Sequence, residues 1–143
     1  MPVFERVRAI LITPADNLLL IKRTKPGMPP YWVLPGGGVE STDPNPEAAL
    51  DREIREEIAG QADILGLFHT VQRDGERELF YLARIRRWSF DDRTGPEFSE
   101  TGRGEYLLEE VPLTAEALEA VNLKPDEIAL FLREAINRGD LRT

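Results

Sequence analysis

Glu53, Glu56 and Glu57 fall within five residues, in the run Arg52-Glu53-Ile54-Arg55-Glu56-Glu57. Like charges at this spacing repel one another on a helix. At about 100° per residue, Leu50, Ile54 and Ile58 make an apolar stripe, and the three acids fill an arc of about 100° beside it. A charge run is commonly a solvated face, but such a face does not need its acids gathered beside the buried seam. Gathered carboxylate oxygens suit a hard divalent cation, Mg²⁺ or Mn²⁺, which would offset their repulsion. Mg²⁺ takes one or two protein carboxylates, keeps waters, and fills its remaining positions with substrate phosphates. The chemistry on offer is therefore phosphate chemistry. Arg52 stands four residues before Glu56 and can pair with it, holding a carboxylate in place. Without a cation, at least one of the glutamates is expected to titrate above its ordinary range.

The elements around this run must aim it. Asn45-Pro46 opens a helix, because Asn caps well and Pro suits the first helical position. Glu47 in the first turn suits the positive end of the helix dipole. The helix is expected to run to about Ala59 and stop at Gly60. Ahead of it lies Pro35-Gly36-Gly37-Gly38, whose backbone can approach a ligand closely and offer carbonyl ligands. Upstream, Val3 to Thr13 and Leu18 to Arg23 read as two strands of a hairpin across Ala15-Asp16-Asn17. Lys25 to Pro30 is a proline-marked loop, and Tyr31 to Leu34 a short strand-like piece. Downstream, Gln61 to Val71 and Glu78 to Arg86 read as strands joined across Arg73-Asp74-Gly75-Glu76. Phe90 to Gly104 is the longest loop, Glu105 to Pro112 holds a short strand, and Thr114 to Ala120 and Asp126 to Arg138 read as helices. Irregular alternation with a hairpin favours an α/β fold with a mixed β-sheet and helices on its faces.

The quoted segments resemble the Nudix box, a loop–helix–loop motif written G-x5-E-x7-R-E-U-x-E-E-x-G-U with U apolar. Leu34-Pro35-Gly36-Gly37 followed by Glu40 matches the family's lead-in, and residues 52 to 57 match its core without a change. The sequence departs from the pattern at three places. Asp43 stands where the first Glu belongs, the spacing from Asp43 to Arg52 is one residue longer, and Ala59 takes the final glycine's place with Gly60 following. The resemblance implies an αβα sandwich over most of the chain. It also implies hydrolysis of a phosphoanhydride bond in a nucleoside diphosphate linked to another moiety, with Mg²⁺ or Mn²⁺. Carried over residue by residue, Glu56 and Glu57 would bind metal with the carbonyl of Gly36. Glu53 would bind metal or orient the water, and Arg52 would hold a glutamate. Glu97, in the long loop, is the candidate for an added ligand or the base, with Glu100 beside it.

Arg23, at the end of the second strand, is a candidate to meet phosphate, and Trp32 and Gly37 are candidates to meet the rest of the substrate. Each has a bland alternative: a surface ion pair for Arg23, core packing for Trp32. His69, the one histidine, lies in a strand pattern and reads as packing, and Glu109-Glu110 reads as a surface pair. Between Gly60 and Leu79 the chain lacks the proline of ADP-ribose cutters and the tyrosine of dinucleoside-polyphosphate cutters. A (deoxy)nucleoside triphosphate pyrophosphohydrolase is the leading expectation, and a non-catalytic nucleotide-binding module the alternative.

The bulk numbers agree. A chain of 143 residues with no cysteine fits one domain, here taken as 1–143, that needs neither disulfide nor thiol chemistry. The formal net charge of −8 disfavours a nucleic-acid polymer as partner. Charges interrupt the N-terminus where a signal peptide would be apolar, and no run is long enough to span a bilayer. A cytoplasmic protein with a small nucleotide substrate and no membrane partner is expected, and a homodimer is left open.

Overall fold

The computed structural model describes residues 4–89 and 105–141. In chain order it holds β1 (Phe4–Ile12), β2 (Asn17–Thr24), β3 (Tyr31–Val33), β4 (Gly36–Gly38), α1 (Pro46–Ile58), β5 (Gln61–Arg73) and β6 (Glu76–Arg87). Then come β7 (Glu105–Pro112), α2 (Ala115–Glu119), β8 (Leu123–Lys124) and α3 (Asp126–Arg138). Phe90 to Gly104 lies outside the described residues, and the loop expected there is not described.

The strands form one mixed sheet in the order β5-β6-β1-β2-β3-β8, with β4 on β1 and β7 on β2. Side chains alternate along β1. Val7, Ala9 and Leu11 pack with Leu50, Ile54 and Ile58 of α1. Ile10 and Ile12 pack with Ile128, Leu132 and Ala135 of α3. A helix on each face makes the αβα sandwich. It also explains the apolar runs Ala9 to Ile12 of β1 and Leu18 to Ile21 of β2, since both faces are buried there.

The sheet forks at its centre. Along one edge β2 pairs with β7 over its whole length, from Asn17↔Pro112 to Thr24↔Glu105. Its other edge meets β1 only at Leu18 and Leu19, and β3 at Ile21 to Arg23. All of β1 in turn pairs in parallel with Glu76 to Arg84 of β6 and, on its free side, β1 pairs with β4 at Arg6 to Arg8. So β1 and β2 part after their first two pairs, and the chain from β3 to β4 fills the gap. The hairpin expected from sequence is real but short. The β4 strand was not expected, because glycine has little strand propensity. Neither was β8, two residues long and paired in parallel with β3.

Asn45 caps α1 as its type predicts: its side chain accepts a hydrogen bond from the Ala48 amide at 2.8 Å, and Pro46 follows. At the other end Ala59 has φ +47°, a left-handed conformation that an L side chain resists. Gly60 follows where a Cβ would sit 2.9 Å from both Ile54 and Ile85. Tyr81, buried beneath α1, has its hydroxyl pushed up to about 12, first by burial and then by the Glu47 carboxylate it bonds. Among the described residues, no helix is long and apolar enough to cross a membrane.

Candidate active site

The site is built where α1 lies against β4. Gly36 has φ +154°, and a Cβ there would fall 2.0 Å from the Val7 carbonyl oxygen. Only glycine lets β4 lie this close to β1. The Ala9 amide donates to Pro35 O at 2.8 Å and the Val39 amide donates to Glu5 O at 2.9 Å. In an antiparallel ladder the alternate residues, Gly36 and Gly38, then turn their backbone groups away from β1. Those groups meet the glutamate helix. The Gly36 amide donates to Glu57 Oε1 at 2.7 Å, and Gly38 O accepts from Arg52 Nη2 at 3.0 Å. Between them, a Cβ on Gly37 would come within 2.6 Å of the Glu53 carboxylate, so glycine is what admits that side chain.

Arg52 is the hub. Its Nε and Nη2 grip Asp43 through both carboxylate oxygens, at 3.1 and 3.0 Å. Its Nη1 donates to Glu53 Oε1 at 3.0 Å and to Glu56 Oε2 at 3.3 Å, with Glu40 Oε1 at 3.5 Å. A planar guanidinium with five donors can hold this many acceptors, which an ammonium cannot. The bond from Arg52, then that from the Glu40 amide, holds the Asp43 carboxyl below the ordinary carboxylate value. The bond to Asp43 in turn holds Arg52 above its own.

Glu57 is 8% exposed, and Glu56 has about a third of its side chain exposed. A buried carboxylate needs partners, and the Gly36 amide gives Glu57 one. The donor set is oxygen throughout, which suits a hard divalent cation. Among the described residues, no three Asp, Glu or His side chains are already gathered around one point. Gly36 meets Glu57 through its amide, where the sequence reading had assigned a role to its carbonyl.

The other candidates lie apart from this cluster. The Arg23 guanidinium sits 4.3 Å from the Tyr106 ring and 5.7 Å from the Tyr31 ring. Its Nε is enclosed with no hydrogen-bond partner among the described residues. Trp32 faces the α3 side, where its indole N–H donates to Glu109 Oε2 at 3.1 Å and Lys22 Nζ lies 5.3 Å from the ring. By strand alternation Arg23 and Trp32 point to opposite faces of the sheet. Glu109 is thus the partner of a tryptophan and not a plain surface acid. His69 stacks on Phe131 at 3.9 Å, a packing contact. Glu97 and Glu100 lie outside the described residues. The sequence reading passed over Asp43 as a functional residue, although counting along the motif had placed it at the first-glutamate position.

The NUDIX domain model matches residues 3–130. No protein of curated function matches the chain. Among solved structures, a MutT from work on Aliivibrio salmonicida and Vibrio cholerae superposes with a TM-score of 0.64 at 18% identity, covering 92% of this chain and 96% of that one. A NUDIX-family hydrolase from Clostridium perfringens gives 0.66 at 19%, covering 96% and 99%. A UDP-X diphosphatase gives 0.66 at 17%, covering 98% and 65%. At these identities the structures speak for the fold, while the family model speaks for descent. With the box helix, the glycine strand that receives it and the domain match together, the chain belongs to the Nudix family of phosphoanhydride hydrolases.

Proposed function

We propose that this protein hydrolyses nucleoside diphosphate derivatives with Mg²⁺ or Mn²⁺, and that (deoxy)nucleoside triphosphates are the substrates to try first. One observation carries the reading: a single arginine gathers Glu53 and Glu56 while the Gly36 amide fixes Glu57 beside them. Glu40, Asp43, Glu53 and Glu56, all paired with one guanidinium, are not arranged as a solvated face.

In such a reaction water attacks phosphorus, the bridging P–O bond breaks, and the leaving phosphate takes the electron pair. A bound divalent cation supplies charge neutralisation at the phosphoryl oxygens and makes water more acidic. Glu56 and Glu57 would hold it. Glu57 has one oxygen committed to the Gly36 amide, which fixes its orientation. Glu53, held by Arg52 and pressed against Gly37, would orient the attacking water or share in the cation. Arg52 keeps both carboxylates in position, and its grip on Asp43 keeps Arg52 itself from swinging out. Arg23, whose Nε is enclosed without a hydrogen-bond partner among the described residues and lies beside two tyrosines, is the candidate to meet a substrate phosphate. Glu97 is retained as a candidate base.

A panel of nucleoside triphosphates, sugar nucleotides and dinucleotides with Mg²⁺ tests the reading. Release of pyrophosphate or phosphate from one class, abolished by chelator, is the expected result. Tight binding without release from any of them would make the protein a nucleotide-binding module instead.

A further inference from the structure

The buried carboxylate of Glu78 has no part in the chemistry above, yet it joins two arginines. Arg8 Nε donates to Glu78 Oε2 at 3.0 Å, and Arg73 Nη1 donates to Glu78 Oε1 at 3.3 Å. Arg73 reaches on to Glu127 in the first turn of α3. The other end of Arg8 matters more. Its Nη1 donates to Leu34 O at 3.3 Å, two residues before Gly36. Arg8 is also the register partner of Gly36. The side chains alternate along β1, so Arg8 lies on the α3 face with Ile10. Glu57 approaches the same β3–β4 crossing from the α1 face.

We propose that Arg8, oriented by Glu78, is a positioning residue for the active site. It clamps the Leu34 carbonyl from the α3 face, and so fixes where the Gly36 amide meets Glu57 on the other. Gly36 needs such a clamp. Its strand is three residues of glycine, which carry no side chains to pack and lose the most freedom on ordering. The guanidinium fork suits the task, because separate nitrogens bond Glu78 and Leu34 O at once. A lysine there would have to reach both partners from one nitrogen, without the fork's separated donors.

The inference rests on the proposed role of Glu57, but the first readout does not depend on activity. Amide hydrogen exchange would be followed by NMR in the full chain for the parent, Arg8→Lys and Glu78→Gln. Arg6→Lys is the control, since Arg6 pairs with Glu76 at 2.9 Å on the same strand face. In Arg8→Lys the Gly36 amide should exchange at least ~10-fold faster while the Ala9 amide keeps its rate. With the best substrate of the panel, kcat should fall roughly tenfold with KM within about twofold, and Mn²⁺ should bind more weakly. Glu78→Gln should shift all three in the same direction and by less, and Arg6→Lys should match the parent. Unchanged Gly36 exchange in both test variants overturns the clamp, whatever the activity. Faster exchange with parental kcat and Mn²⁺ affinity overturns its link to the site, as does an equal loss in Arg6→Lys. A parent that neither binds Mn²⁺ nor cleaves any nucleotide sinks the functional reading, and the exchange comparison still decides the clamp.

Discussion

At the scale of single residues, the site separates groups that bind from groups that hold. Under the proposed function Glu57 is of the first kind. Glu57→Gln keeps the size and leaves an oxygen to accept the Gly36 amide, so the fold should survive with a melting temperature near the parent's. Turnover should drop by roughly 100-fold or more, because the charge is gone. Near-parental activity at saturating Mg²⁺ would remove Glu57 from the chemistry. Tyr81 belongs to neither kind, and it predicts an alkaline effect. Its folded-state value of about 12 lies above the ordinary tyrosine value near 10. A raised value means that the folded state favours the protonated hydroxyl. That contribution is whole below pH ~10 and is lost as pH rises from ~10 through about 12. Tyr81→Phe should therefore show a flatter stability curve than the parent over that range. Parallel curves from denaturant titrations at each pH would show that Tyr81 is not the group responsible.

At the scale of elements, α1 was the most legible part of the sequence. Asn45, Pro46 and the apolar stripe appear in the structure where their types put them, while the left-handed stop falls on Ala59, one residue before the glycine expected to make it. The hairpin turn at Asp74-Gly75 was equally legible, with Gly75 at φ +73°. What stayed hidden was long-range pairing. No local signal says that β1 pairs with β6 in parallel, or that three glycines serve as a strand. The grip of Arg52 on Asp43 was half-visible, as a motif position filled by a shorter acid. The C-terminus of α1 gives a sharp prediction. Ala59 occupies a left-handed position, at a cost of about 1–2 kcal/mol for an L residue. Ala59→Gly removes that cost and gives back about 0.5–1 kcal/mol as extra freedom in the unfolded chain. A net stabilisation of up to ~1 kcal/mol is expected from chemical denaturation. The same exchange in reverse at Gly60 should destabilise, since its Cβ would collide with Ile54 and Ile85. Ala59→Gly that lowers stability would contradict the left-handed assignment.

At the scale of the whole molecule, the proposed function predicts that the acids of α1, on a chain of net charge −8, tie stability to cation binding. If Glu53, Glu56 and Glu57 repel one another when bare, Mn²⁺ should raise the melting temperature. A cation at ~100 times its Kd adds about 2.7 kcal/mol by mass action, or roughly 5–10 °C for a domain of this size. Because phosphate completes the coordination, the shift should be larger when a non-hydrolysable nucleotide is present. Differential scanning fluorimetry with and without both would show it. A melting curve indifferent to Mn²⁺ under either condition, with no heat of binding, would refute the cation site.

The parallel pairing of β1 with β6 also has a consequence in time. The two strands share nine register pairs, from Phe4↔Glu76 to Ile12↔Arg84, and the Arg6–Glu76 contact spans 70 residues of chain. As the polypeptide leaves the ribosome, the whole acidic helix is exposed before the strand that must lie beside β1 has been made. The central strand then has only two β2 pairs and the glycine segment to hold it. Contacts this distant are paid for in loop entropy before they give anything back, which slows folding. The nascent chain thus carries the carboxylates of α1, solvated and unaligned, while β5 and β6 are being made. Their order arrives late, when the second half of the sheet closes over a core whose first half had been waiting for it.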